Sequence, residues 1–119
     1  VRAYEGISYR YGGSTPNGWD CSGFVQWIME NVFTVSLPRT AAEQSQCGSY
    51  VDAYDESTWQ PGDLLFYVRG GNVGHVAIYL GDGMLMHALN TQKGTCIENA
   101  KRYDYYDKEN TLTYVRRVF

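Results

Sequence analysis

Three observations predict an α+β domain. Apolar residues recur at helical spacing just after a glycine-rich loop, a short capped segment follows, and β-prone runs separated by glycine turns fill the second half. The expected architecture is N-terminal helices packed on a central antiparallel β-sheet. The chain has 119 residues and 44% apolar residues. That suits a single domain over residues 1–119, able to bury a core without a metal cluster or a disulfide framework.

The first helix is read from Cys21 to about Asn31. Phe24, Trp27, Ile28 and Val32 stand at i, i+3, i+4 and i+8, one helical face, and Asp20 occupies the N-cap position. The preceding Tyr9 to Trp19 stretch is rich in turn residues and reads as a loop. In the second helix Thr40 and Glu43 form a capping box and Gly48 supplies the stop, which puts Cys47 in its last turn.

From Gln60 onward the signals are those of strands. Gln60-Pro61-Gly62-Asp63 reads as a type II turn. Strands are expected at Leu64 to Val68, His75 to Leu80, Met84 to Leu89, Thr95 to Glu98 and Leu112 to Val118. Register decides whether the only two histidines, His75 and His87, can cooperate. A two-residue Asp82-Gly83 loop would put Ile78 opposite His87 and turn the imidazoles to opposite faces. A three-residue Gly81-Asp82-Gly83 loop puts Ala77 opposite His87, and the two rings become diagonal neighbours roughly 5–8 Å apart.

Composition excludes several classes. The net charge is −3, and the adjacent basic pairs are limited to Lys101-Arg102 and Arg116-Arg117, so no nucleic-acid footprint is present. No apolar run approaches the ~20 residues of a membrane-spanning helix. The chain begins at Val1 with neither a Met nor a signal segment, which reads as the edge of a piece of a larger exported protein.

The three cysteines differ in setting. Cys21 lies in a first helical turn, where free N–H groups and the positive end of the dipole favour a thiolate. Cys47 lies at the opposite end of its helix, and Cys96 on a strand without an activating neighbour. Both read as packing residues, with a Cys47–Cys96 disulfide as the alternative. No CxxC, HExxH or HxxxH spacing occurs, so no metal is expected. One helix-terminal Cys and two His on one hairpin form the pattern of a thiol nucleophile with its base.

Tyr9-Arg10-Tyr11-Gly12-Gly13, Asp20-Cys21-Ser22-Gly23-Phe24-Val25, Leu37-Pro38-Arg39-Thr40, Pro61-Gly62-Asp63-Leu64-Leu65-Phe66, His75-Val76-Ala77-Ile78-Tyr79-Leu80-Gly81 and Met86-His87-Ala88 resemble, in order and spacing, the NlpC/P60 cell-wall cysteine peptidases. Tyr11 stands where the family usually has Trp, and Ala77 where Gly is frequent. The resemblance implies a compact papain-like fold with Cys21 as nucleophile, His75 as general base and His87 as its orienting partner. It also implies that Tyr9 helps stabilise the oxyanion or contacts the substrate, and that Asp20 and Ser22 match positions that contact the stem peptide in some members. The implied substrate is the stem peptide of bacterial peptidoglycan, cut between D-glutamate (through its γ-carboxyl) and a diamino acid (diaminopimelate or Lys). No cofactor is implied, the domain is expected to act as an extracytoplasmic monomer, and wall targeting is expected to lie elsewhere in the parent protein. Rival readings are an amidase or crosslink-cleaving thiol hydrolase, a non-catalytic wall-binding module, and a zinc hydrolase using Cys21, His75 and His87.

Overall fold

Asp20 closes the glycine-rich loop and starts the first helix. Its backbone is extended, and its side chain accepts the Gly23 N–H at 2.8 Å, satisfying one of the first turn's free donors. In the computed structural model, which describes residues 2–100 and 111–119, helix α1 runs Cys21–Asn31. The Lys101-Arg102 pair lies outside the described residues. Phe24, Val25, Ile28 and Met29 are fully buried. Val32 is not part of this stripe: it is the C-cap residue and is exposed.

The second helix is shorter than predicted. Helix α2 spans Ala41–Gln44, so Cys47 lies beyond its end rather than in its last turn. Thr40 accepts the Glu43 N–H at 3.2 Å, as a cap should. The Glu43 carboxylate returns to the Thr40 hydroxyl at 2.8 Å rather than to the cap backbone.

The loop before α1 also holds more order than its composition suggested. Strands β1 (Ser14–Thr15) and β2 (Gly18–Trp19) pair as a small antiparallel hairpin. Trp19 is fully buried, packs against Tyr4, Phe24 and Trp27, and donates its indole N–H to Thr95 Oγ1 at 2.7 Å.

The sheet contains β3 (Ser49–Val51), β4 (Leu64–Arg69), β5 (Asn72–Gly81), β6 (Met84–Ala88), β7 (Thr95–Asn99) and β8 (Thr111–Arg117), in the order β3-β8-β4-β5-β6-β7. Every neighbouring pair is antiparallel. Strand β3 was not anticipated from the sequence. The type II turn is present, with Gly62 at φ +98° and the Asp63 N–H bonded to the Gln60 carbonyl at 3.0 Å. Asp63, fully buried, accepts two hydrogen bonds of 2.8 Å from Arg117, which ties the turn to β8.

Strand β4 is buried on both faces, which explains its unbroken apolar run. Leu64 and Phe66 join Val76, Ile78, Met86 and Ala88 against α1. Leu65 and Tyr67 join Ala77, Tyr79 and Leu85 on the opposite face.

The hairpin reaches the cooperative register by a route that the sequence reading did not include. Asp82 and Gly83 both have positive φ (53° and 77°), and Gly81 pairs with Met84, so the loop has two residues. A bulge between Tyr79 and Gly81 then shifts the pairing to Ile78 with Met86. Continued by one residue, that register puts Ala77 opposite His87.

Gly23 lies in the first turn of α1, where helix propensity favours alanine by about 1 kcal/mol. A Cβ there would run into the Gly13 carbonyl oxygen and come 3.0 Å from Asp20 Oδ1. Gly23→Ala is therefore expected to destabilise the protein by about 1–3 kcal/mol, read as a lowered urea midpoint. A raised midpoint would refute the tight seating of this turn.

Candidate active site

Cys21 is the first residue of α1, and its sulfur is aimed at the backbone of β5. The thiol lies 4.0 Å from the Gly74 carbonyl oxygen, and the Val76, Ser22 and Cys21 N–H groups act on the sulfur. Gly74 is a bulge residue. Tyr67 pairs with His75 and Val68 with Val73, which leaves Gly74 unmatched. Bulges of this kind re-aim a strand next to a site, and here the one at Gly74 brings the backbone flanking His75 to the sulfur. Tyr9 is adjacent: the Cys21 charge is felt at its hydroxyl.

His75 and His87 share a face and meet directly, with His75 Nε2 and His87 Nδ1 2.8 Å apart. His75 is 8% exposed and His87 fully buried. The Tyr67 ring lies 5.9 Å from that of His75. His87 thus engages Nε2 of His75.

Beyond His87 stands a residue that sequence reasoning missed. Glu98 Oε1 lies 3.5 Å from His87 Nε2 and accepts the Cys96 thiol proton at 3.4 Å. Glu98 is not an activating neighbour for Cys96, since its charge and hydrogen bond raise the thiol pKa, but it does place a carboxylate before the histidine pair. Only the β6–β7 register reveals it: Cys96 pairs with His87, and a residue two positions along β7 returns to the same face. All three cysteines are free thiols. Cys47 contacts the Glu43 carbonyl at 3.7 Å, so the alternative Cys47–Cys96 disulfide is not formed. The sulfur of Cys96, Nε2 of His87 and a Glu98 oxygen all lie within 4.8 Å of one another.

Asp20 and Ser22 flank Cys21 and are tied to a second missed residue, Arg39. Asp20 Oδ1 accepts from Gly23 N–H and from the Ser22 hydroxyl at 3.3 Å. Oδ2 accepts from Gly12 N–H at 3.1 Å and from Arg39 at 3.0 Å. Arg39 also donates to Ser22 Oγ at 2.8 Å and to the Gly13 carbonyl at 3.1 Å. A guanidinium fork suits three acceptors held at fixed angles. The sequence motif contained Arg39 but assigned it no task, because its partners lie 17 to 26 residues away.

The charge states follow from these settings. Burial pushes the Cys21 thiol above its usual pKa, despite the N–H groups that oppose the shift. The thiolate expected from helix placement is thus not the resting form. Burial, then the neighbouring His87, lowers the His75 pKa to about 3, with Glu98 pulling the other way. His75 therefore rests neutral beside a neutral thiol. Burial raises the Tyr9 pKa, and the nearby Cys21 adds to this, so its hydroxyl remains a donor. Burial would raise the Asp20 pKa too, but Arg39 and the Gly23 and Gly12 N–H groups outweigh it and keep it below the ordinary value.

The depressed His75 pKa makes stability pH-dependent. The unfolded state takes up a proton near pH 6.5, and the folded state only near 3. Stability should be complete above about pH 6.5 and fall by up to about 1.4 kcal/mol per unit as the pH drops toward 3. Urea unfolding at pH 7, 5.5 and 4.5 checks this, and His75→Gln should flatten the slope. An equal slope in both proteins would contradict the buried neutral imidazole.

Comparison with known proteins places this geometry. The NlpC/P60 family profile matches residues 6–116. A protein of Escherichia coli strain K12, "Murein DD-endopeptidase MepS/Murein LD-carboxypeptidase", is 40% identical over 96 residues, covering 81% of this chain and 49% of that protein. The "Gamma-DL-glutamyl hydrolase" of Bacillus subtilis strain 168 is 36% identical over 118 residues, covering 95% of this chain and 27% of that protein. The chain thus spans half or less of the length of these relatives. The crystal structure of the NlpC/p60 domain of the peptidoglycan hydrolase SagA superposes with a TM-score of 0.81 at 27% identity, covering 98% of this chain and 91% of that one. With its six-motif pattern, its helix-on-antiparallel-sheet fold and this profile match, the chain belongs to the NlpC/P60 family.

Proposed function

We propose that this chain is a cysteine endopeptidase of bacterial peptidoglycan, acting outside the cytoplasm on the bond between γ-D-glutamate and the diamino acid of the stem peptide. The observation that carries the reading is the file of reactive groups, in which the Cys21 sulfur meets the backbone flanking His75 and His75 is held by His87 at 2.8 Å. The names of the relatives support peptidoglycan as the substrate class.

The chemistry follows from the resting charges. The thiol must lose its proton as it attacks the amide carbonyl, and neutral His75 is the base that accepts it through Nδ1. The tetrahedral oxyanion needs donors, which the Cys21 N–H and the Tyr9 hydroxyl supply. The imidazolium then protonates the leaving amine, and water, deprotonated by His75, releases the acyl group and restores the thiol. Burial, which disfavours the ion pair at rest, shelters both proton transfers from bulk water. Asp20 and Ser22 flank this path. Their mutual bonds and those to Arg39 hold the start of α1, so a stem peptide reaching them meets a carboxylate already engaged.

A second reading of the bond has its own support. The relative at 40% identity is named a DD-endopeptidase, which would correspond to cleavage of crosslinks rather than of the γ-D-glutamyl bond. Digestion of purified muropeptides, followed by mass spectrometry, separates the two. The first reading expects products with a new N-terminal diamino acid. The second expects crosslinked dimers to fall to monomers with stem peptides intact. Cys21→Ala should slow either reaction by at least about 10³-fold. Equal cleavage by wild type and Cys21→Ala would overturn the catalytic assignment.

A further inference from the structure

We propose that Glu98 is a positioning residue that sets the tautomers of His87 and His75, extending the line of reactive groups to a fourth member on β7. The inference rests on the functional reading above for its kinetic consequences, but its core is geometric.

The argument runs back from the thiol. For His75 to accept a proton on Nδ1, its own proton must reside on Nε2. That nitrogen lies 2.8 Å from His87 Nδ1, which must then be an acceptor with a lone pair. His87 therefore needs its proton on Nε2, the nitrogen that faces Glu98 Oε1 at 3.5 Å. A carboxylate there favours an N–H and repels a lone pair, in a ring with no solvent exposure. The reverse His87 tautomer would donate from Nδ1 to His75 Nε2, push the His75 proton to Nδ1, and leave the thiol facing an N–H instead of a base. One carboxylate thus fixes the direction of the His75–His87 hydrogen bond and, through it, which His75 nitrogen carries the lone pair.

The surroundings suit the task. Glu98 is held by Cys96, which donates its thiol proton to the same oxygen at 3.4 Å. Burial, with the Glu98 charge and hydrogen bond, pushes the Cys96 pKa up to about 12, so that proton stays in place as a donor. The glutamate side chain is 13% exposed, and its charge reaches past His87 to favour the His75 imidazolium. Among the described residues, the packed elements bring His87 from β6 and His75 from β5 to bear on this charge. Cys96 is on β7 itself, and Lys93 and Glu5 are felt at Cys96.

The test uses imidazole ¹⁵N chemical shifts of the histidine-labelled protein, which distinguish the two tautomers without substrate. Wild type should show both rings protonated at Nε2. Glu98→Ala should mix the His87 tautomers and lower kcat on muropeptides by about 10- to 100-fold, the scale seen when an orienting partner is lost. KM should change little, and the acid limb of the kcat/KM profile should move to lower pH. Glu98→Gln should fall between the two. A wild-type His87 protonated at Nδ1, or a Glu98→Ala protein with unchanged shifts and kcat, overturns the proposal. So does a wild-type His87 signal that changes on adding a chelator, which would mean a metal on Nε2. Should both variants fail to fold, the wild-type spectrum decides. Should wild type leave muropeptides uncut, the functional reading fails and the tautomers still report on Glu98.

Discussion

The hydrogen bond between His75 and His87 makes demands on every level beneath it. Two rings 2.8 Å apart must project from one face of the sheet, and side chains alternate faces along a strand, so the register of β5 against β6 has to be correct to a single residue. The Asp82-Gly83 turn alone would set the wrong register. The bulge between Tyr79 and Gly81 restores it. The small Ala77 side chain then occupies the position opposite His87, where a larger residue would crowd the two rings. A second bulge, at Gly74, brings the backbone beside His75 to the Cys21 sulfur. The site is therefore built by two irregularities in one strand, which has β4 and β6 paired on either side and α1 packed on one face.

Burial and local dipoles compete over the thiol, and burial wins at rest. The helix N-terminus and the Val76 N–H favour a sulfur anion, but desolvation raises the Cys21 pKa above its ordinary value. The same desolvation keeps His75 neutral. These effects are linked through function. A sulfur that was already an anion would need no base, whereas a buried thiol needs one, which puts weight on the tautomer of His75. In the proposed mechanism the donors around the sulfur are in place when negative charge develops on it.

Much of this was legible in the sequence, and the exceptions share a cause. Helix α1, its Asp20 cap, the type II turn and the strands from Leu64 onward were read because their signals are local: a capping residue, a periodicity, a Pro-Gly pair. The candidate nucleophile and both histidines were legible because their residue types are rare in this chain. The small hairpin of β1 and β2 was not, since its stability comes from Trp19 packing against Tyr4, Phe24 and Trp27 rather than from strand propensity. Strand β3 exists through its pairing with β8, more than 60 residues away. The bulge that completes the hairpin register was missed as well, because turn chemistry reports loop length and not what happens two residues into the strand. Glu98 and Arg39 are common charged residues whose importance lies entirely in what the fold places opposite them.

Arg39 shows how such a distant contact bears on the Cys21 sulfur. The orientation of Cys21 depends on the first turn of α1, which has Gly23 seated against the Gly13 carbonyl and Asp20 as its cap. Asp20 alone could cap a helix in many loop conformations. Arg39 removes that freedom by binding the Asp20 carboxylate, the Ser22 hydroxyl and the Gly13 carbonyl at once, so that the loop before the helix, its cap and its first turn can move only together. The pair is partly exposed, with Arg39 at 35% and Asp20 at 14%, and its Coulomb energy alone is modest. Its value is geometric: it fixes the residues on both sides of Cys21, and through them the direction in which the sulfur meets β5.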